Sequence, residues 1–364
     1  FNGDIVLIIK NNKYNYYCNH NIKLPIYISR LDENLFDNAT LKYQIISKSF
    51  EVTKQIDDID ISKHDYYQIC DIDFDIPSIN ELEEATIKIE LINNQQIISK
   101  NEYQIWIYPE QKKFTYNEFI TYKDDNVVVT NNLENAIELL KQNKNVILSY
   151  RSDYTRHLLH KNMAAPKLSF KATWNRHKPV IWDRGTNFGG LIDNKLNKYG
   201  FNKYYNHNFC SLAEDADKII LDGILEKSTN LISGIDKCNR DRFDAYKGSF
   251  NLPELMYDRT LRNFSYLFEI GVGNSKLLVT GMNLLSLDND DPSNNHFANT
   301  LIKYASSNEF NPSNKIEIEQ LEQYLKQSAL KPVKERMMTQ FWELDDTPVE
   351  SKQYWIDSRE YLKD

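Results

Sequence analysis

The feature that most constrains this chain is a change in the period of its apolar residues. Over the first hundred residues they alternate with polar ones. In "TLKYQI", Leu41, Tyr43 and Ile45 point one way while Lys42 and Gln44 point the other; in "TIKIEL", Ile87, Ile89 and Leu91 oppose Lys88 and Glu90. A period of two describes a strand with one wet face. Near residue 126 the alternation gives way to continuous apolar runs, "NVVVT" and "NVILSY", with "NNLENAIELLKQN" between them. Continuous runs belong to strands covered on both faces. One polypeptide therefore has to build two different kinds of sheet.

In the first region, apolar stretches begin at Asp4, Ile22, Ala39, Tyr66, Ala85 and Tyr103, with Asn/Asp-rich turns between them. Six or seven short strands in that length predict an antiparallel β-sandwich of immunoglobulin type over residues 1–110, ending at Pro109. Trp106 alternates with apolar neighbours and is expected in its core. In the second region, Asn131 with Glu134 three residues on resembles a capping box. Leu133, Ala136, Ile137 and Leu140 then share a helix face. Strand, helix and strand in so short a span make a βαβ unit, which demands parallel strands. Further strands are expected at "PVIW" from Pro179, at "KIIL" from Lys218, and in a hairpin turning at Gly273–Asn274. Helices are expected near residues 295–306, with Phe297, Leu301 and Tyr304 on one side, and near 315–327. The prediction is a multidomain α and β chain: the sandwich, an α/β three-layer domain with a mainly parallel sheet over 115–310, and a helical and irregular tail over 311–364.

Charge narrows the function. Forty-four basic against 52 acidic residues give a formal net charge of −8, with no basic stripe for a nucleic-acid backbone. No apolar run approaches the roughly 18–20 residues that cross a bilayer, so no membrane partner is expected. The sequence begins at Phe1 rather than Met and opens on no signal-type segment, which suggests an excised fragment or processed product. Cys18, Cys70, Cys210 and Cys238 are too dispersed for a zinc site or a disulfide scaffold. An extracytoplasmic location is favoured over a cytoplasmic one.

Tests for chemistry return little. The turn after "NVVVT" has no glycine, which removes a dinucleotide fingerprint, and no phosphate-binding loop is present. No G-x-S-x-G or G-x-C-x-G elbow exists. Three of the eleven glycines, Gly185, Gly189 and Gly190, crowd "KPVIWDRGTNFGGLIDN", but only Thr186 and Asn187 stand near them, and neither is an activated nucleophile. The stretch reads as a backbone bend at the end of a strand. Cys210 stands three residues from His207; the common reading is a buried, inert cysteine. His157 and His160 cannot fill a zinc site alone, and neither a metal nor a cofactor is expected. A glycosidase needs two carboxylates about 5–9 Å apart. Glu269, inside an apolar strand, reads as a strand-edge acid, and Glu343, Asp345 and Asp346 beside Trp342 read as a solvated turn. Trp174 and Trp182 flank loop-rich sequence where an indole face suits a sugar ring.

The ordered set "ATLKYQI", "YQIWIYP", "VVVTNNLENAIELLKQNKNVIL", "KPVIWDRGTNFGGLIDN" and "LFEIGVGNSKLLVTGMNL" resembles the C-terminal portion of β-galactosidase-like proteins of glycoside hydrolase family 2, over roughly residues 5 to 305. The resemblance implies an immunoglobulin-like sandwich followed by a class I glutamine amidotransferase-like (flavodoxin-like) domain. It also implies that the catalytic glutamates belong to a (β/α) barrel, which alone takes about 200–250 residues and is not present in this sequence. The chain is thus expected to be a non-catalytic accessory fragment acting in carbohydrate degradation, with that barrel as its partner and no catalytic residue of its own. Carbohydrate contacts are expected at Trp174, Trp182, Asn187, His207 and Trp342. The alternatives are a carbohydrate-binding module, or a self-sufficient hydrolase or amidotransferase using Cys210.

Overall fold

The computed structural model describes residues 3–11, 13–31, 38–63, 65–150, 190–204, 207–213, 216, 219–221, 223–234 and 264–328. The chain is β-rich and forms two compact units, Phe1–Lys112 with Asp290–His296, and Lys113–Asn289 with Phe297–Asp364.

The first unit is a sandwich of two sheets. One runs β1 (Ile5–Ile9), β3 (Asn21–Arg30), β6 (Tyr66–Asp75), all antiparallel. The other has β2 (Asn15–Tyr17), β4 (Asn38–Ile46), β5 (Glu51–Asp60), β7 (Glu83–Asn93) and β8 (Gln96–Tyr108), in the order β2-β8-β7-β4-β5, with β2 lying parallel to β8. The alternation seen in the sequence sets the faces. Leu41, Tyr43, Ile45, Ile87, Ile89 and Leu91 are buried and meet Leu7, Ile26 and Ile28 of the opposite sheet in one apolar core. Each such side chain withdrawn from water contributes roughly 1.5–3 kcal/mol. Trp106 is buried, but not in this core: Ile105 and Ile107 on either side of it enter the core, and Trp106 packs with Tyr17 and Tyr108 on the other face of β8.

Side chains close the seams between the sheets. Along β8, Ser99 Oγ and Asn101 Nδ2 donate to the Ile5 and Leu7 carbonyls of β1, and Tyr103 Oη accepts from the Ile9 amide. These residues sit two apart, so one strand face satisfies a whole strand edge. At the other seam, Lys54 Nζ of β5 donates to the Asp73 carbonyl of β6. Strand β5 itself was not foreseen. It is an edge strand, mostly exposed, and its register slips opposite Ala39–Leu41, near Asp58 at a positive φ of 57°. A charged, bulged strand of this kind resists pairing with other chains. Asp290–His296 groups with the sandwich: Asn15 Nδ2 donates to Asp291 at 3.0 Å, and the His296 ring meets Tyr108 edge-on at 5.3 Å.

The second unit is built on a mixed sheet. Its path runs β11 (Ile219–Ile220), β13 (Phe264–Val272), β14 (Ser275–Thr280), β10 (Asn145–Ser149), β9 (Val127–Thr130), with β12 (Thr229–Gly234) and β15 (Lys315–Ile316) also pairing β13. The expected βαβ unit is there: β9 and β10 are parallel and joined by α2 (Leu133–Lys141), and β14 continues the parallel run beside β10. Around β13 the pairing is antiparallel with β11, β12 and β14, so the sheet is parallel in one half only. The hairpin turns at Gly273, whose φ of 56° an L side chain rarely adopts. The cap of α2 is Asn132, whose side chain accepts from the Asn135 amide, one residue later than the spacing suggested. A true capping box instead opens α1 (Tyr116–Ile120), between Thr115 and Glu118.

Alternate residues of the sheet enter two separate cores. Val127, Val129, Ile147 and Leu278 pack with Phe297 and Leu301 of α4 (Pro292–Ala305). Val146, Leu148, Leu277 and Val279 pack with α2 and with Leu321 and Leu325 of α5 (Ile318–Ser328). Helices thus cover both faces, which is why the strands read as unbroken apolar runs. No helix among the described residues is long and apolar enough to cross a membrane.

Candidate functional site

The strongest chemical feature is a carboxylate inside the mixed sheet. Glu269 lies mid-strand in β13, opposite Leu278 of β14 on one side and Thr229 of β12 on the other, and is 0% exposed. It is therefore not the strand-edge acid that its sequence context suggested. An ionised carboxylate in such a place is tolerated only when paired and hydrogen-bonded. Lys195 Nζ stands 2.5 Å from Oε1, and Tyr304 Oη donates to Oε2 at 2.6 Å. Burial first, then the adjacent Glu269 carboxylate, holds the Tyr304 phenol far above its ordinary range, so it stays a donor.

Each partner is itself held in place. Lys195 sits on a 3-10 stretch, Asn194–Tyr199, capped by Asp193, whose side chain accepts from the Lys195 amide at 2.9 Å, and closed by Gly200 at φ 86°. Leu196 is buried, and the Asp193 amide donates to the Leu231 carbonyl at 2.8 Å, fastening the stretch to β12. Tyr304 belongs to α4, and its ring meets Tyr199 edge-on at 6.3 Å. Lys198 and Glu309 form an exposed pair at 2.7 Å beside it, of little energetic weight.

The chemistry open to this cluster is limited by its occupancy. A general acid, base or nucleophile must aim one oxygen at a substrate. Both oxygens of Glu269 are engaged by protein groups. The neighbouring carboxylates are also committed, Asp193 as a helix cap and Glu309 to Lys198. Such a cluster fixes three elements to one another, joining β13, the Asn194–Tyr199 stretch and α4. Among the described residues no three His, Cys, Asp or Glu side chains converge to hold a metal ion.

Of the expected carbohydrate contacts, Trp174, Trp182, Asn187 and Trp342 lie outside the described residues, as do Gly185, Gly189, His157 and His160. His207 is exposed at the start of a 3-10 turn, His207–Phe209, while Asn208 beside it is buried. Cys210 is half-buried at the start of α3 (Cys210–Ala213). On the sandwich, burial raises the Cys70 thiol to about 12, with Asp71 adding to the shift, which leaves it unreactive. The sequence reading missed Lys195 and Tyr304 as partners. The signal that was available is the single acid inside the apolar run "YLFEIGV".

Two family profiles match parts of the chain, each described as a domain of unknown function: DUF8488 over residues 20–109 and DUF8487 over residues 258–326. Glu269 and Tyr304 fall inside the second match, and Lys195 falls outside both. No curated protein matches the sequence. Solved structures overlap it at low scores. A β-glucuronidase from Parabacteroides merdae overlaps 39% of this chain and 24% of its own, at 8% identity and a TM-score of 0.19. The sporulation control protein Spo0M of Bacillus subtilis overlaps 30% of this chain and 51% of its own, at 11% identity and a TM-score of 0.21. The alkylpurine DNA glycosylase AlkC of Pseudomonas fluorescens overlaps 29% of this chain and 31% of its own, at 8% identity and a TM-score of 0.23. The chain thus spans between about a quarter and about half of each of these proteins.

Proposed function

We propose that this chain is a non-catalytic accessory part of a β-galactosidase-like glycoside hydrolase, shaping and supporting a catalytic barrel that lies outside it. The observation that carries the reading is Glu269: the most deeply buried carboxylate among the described residues has both oxygens tied to its own protein. Strand order supports the finer fold reading. Sheets β1-β3-β6 and β8-β7-β4 keep the connectivity of an immunoglobulin-like sandwich. The parallel β9-β10-β14 run with helices on both faces suits an amidotransferase-like relative that has lost its nucleophile.

The test is turnover of a panel of aryl glycosides, with α- and β-linked galactose, glucose and glucuronic acid, by the purified chain. The reading expects no hydrolysis above buffer. Hydrolysis that disappears in Glu269→Gln while the fold survives would refute it.

A further inference from the structure

The two outer faces of the sandwich differ in kind. At one end of β8 in the five-stranded sheet, Trp106 and Tyr108 are covered by Tyr17 and Leu82. Outward positions in the middle of that sheet are polar and cross-linked to one another: Lys88 to Glu102 at 3.5 Å, Gln104 to Glu84 at 2.9 Å, Gln44 to Thr53 at 3.3 Å. Such a face is satisfied by water and by itself. The three-stranded sheet turns its core residues Leu7, Ile26 and Ile28 inward. Outward it shows Val6 and Ile8, which its register places opposite Ser29 and Tyr27. Tyr27 stacks on Tyr66 with centroids 4.9 Å apart and an interplanar angle of 14°, and Tyr66 is 47% exposed. A pair of rings already ordered loses little further freedom when covered.

Charge on this face is arranged across the strands. Lys10, at the end of β1, donates its amide to the Pro25 carbonyl and holds Nζ 5.5 Å from the Tyr27 ring centroid. Asp71 of β6 lies opposite Pro25 from the other side and is paired with Lys23 at 3.2 Å. Pro25 is thus flanked by a cation on the β1 edge and a carboxylate on the β6 edge.

We propose that this face binds the same face of a second copy of the chain, about a two-fold axis running along β3. That axis exchanges the two edges. Each Lys10 then meets the second copy's Asp71, each Tyr66 meets Val6 and Ile8, and Tyr27 packs on Tyr27. The charge complementarity is written into one surface, so a partner of different chemistry is not needed. Strands about 4.8 Å apart with a rise of about 3.3 Å per residue, nine paired residues each on β3 and β6 and five on β1, give roughly 350 Å² per copy. The total of about 700 Å² falls below the ~1,200 Å² of stable complexes, so the pairing is transient. The inference stands on the sandwich alone and does not depend on the accessory reading.

Sedimentation of the purified chain from about 10 μM to about 1 mM tests it, and the mean mass should climb from one chain toward two. Lys10→Glu should weaken association about tenfold, and adding Asp71→Lys should restore it, because the swap re-creates both cross-copy pairs. Tyr27→Ser should remove association while circular dichroism at room temperature shows the sheet content unchanged, which separates loss of contact from loss of fold. A single-chain mass at about 1 mM overturns the proposal. So does association indifferent to both Lys10→Glu and Tyr27→Ser. Saturable quenching of tyrosine fluorescence by an oligosaccharide panel, lost in Tyr66→Ala and independent of protein concentration, would assign the face to sugar instead and also overturn it.

Discussion

Strand β7 of the sandwich buries Ala85, Ile87, Ile89 and Leu91 and turns Thr86, Lys88 and Glu90 outward. Strand β14 of the mixed sheet buries Leu277 and Leu278 alike, one in each of two cores. The sandwich has one core between its sheets and can leave charge on its outer faces. The mixed sheet is covered on both sides, so a charged residue in it has no water to turn to. Glu269 is the consequence, a carboxylate that the sheet keeps only by drawing in Lys195 and Tyr304. Glu90 on the outer face of β7 is thus left to solvent, whereas Glu269 inside the mixed sheet is a structural joint.

The sharpest way to break this contrast is to truncate neighbouring positions in each sheet. Leu277→Ala and Leu278→Ala should each cost about 3 kcal/mol, because both side chains leave a cavity. In β7, Ile87→Ala should also cost about 3 kcal/mol, whereas Lys88→Ala should stay within about 0.5 kcal/mol. Urea unfolding of the four variants reads this directly. Alternating costs in β14, or uniform costs in β7, would mean that the faces are assigned wrongly.

A smaller effect is expected at Tyr304→Phe, which removes a hydrogen bond to a charged, buried acceptor and should cost about 2 kcal/mol. The same deletion on the sandwich surface, Tyr66→Phe, should cost next to nothing. Equal losses at the two sites would erase the distinction between them.

The smallest effect concerns Glu83, a buried carboxylate of the sandwich that its neighbours stabilise without a lysine clamp. Desolvation raises the Glu83 pKa, but hydrogen bonds from Ser49 and Ser47, with Lys48 nearby, outweigh it and set it below the ordinary 4.5. Its folded-state value is depressed, so its contribution is present above the unfolded value and is lost as pH falls through the folded one. Glu83→Gln should therefore cost about 1 kcal/mol at pH 7, and acid titration of stability should show the two proteins converging below pH 4.5. A gap that widens in acid would reverse the sign of the effect.

Much of the fold was legible because period two is a local signal. Strands β3, β4 and β7 follow from alternate residues alone, and the βαβ unit follows from the switch to unbroken runs. Strand β5 was not legible: "EVTKQIDDID" is an edge strand whose pairing depends on β4 and whose composition serves to discourage further pairing. The parallel β9–β10 pair and the β13–β14 hairpin were foreseen, whereas the antiparallel pairing of β13 with β11 and β12 joins residues 30 to 46 positions apart that no turn signal connects. The Glu269 cluster was hidden for the same reason. Its partners lie 74 and 35 residues away, and no spacing rule connects a 3-10 stretch, a strand and a helix at those separations. An acid inside an apolar run announces that a partner must exist without saying which residue it is.

The claim on which the account turns is that Glu269 and Lys195 hold the unit together and do no chemistry. The unfolding free energy of Lys195→Met tests it most directly, because a structural counter-ion and a reactive group predict opposite signs. Removing the lysine strands a buried carboxylate, and the account predicts a loss of about 3 kcal/mol, largely recovered when Glu269→Gln is added. Reactive groups are usually held at a cost to stability, so an equal or greater stability of Lys195→Met would contradict the account and mark the cluster as a working site.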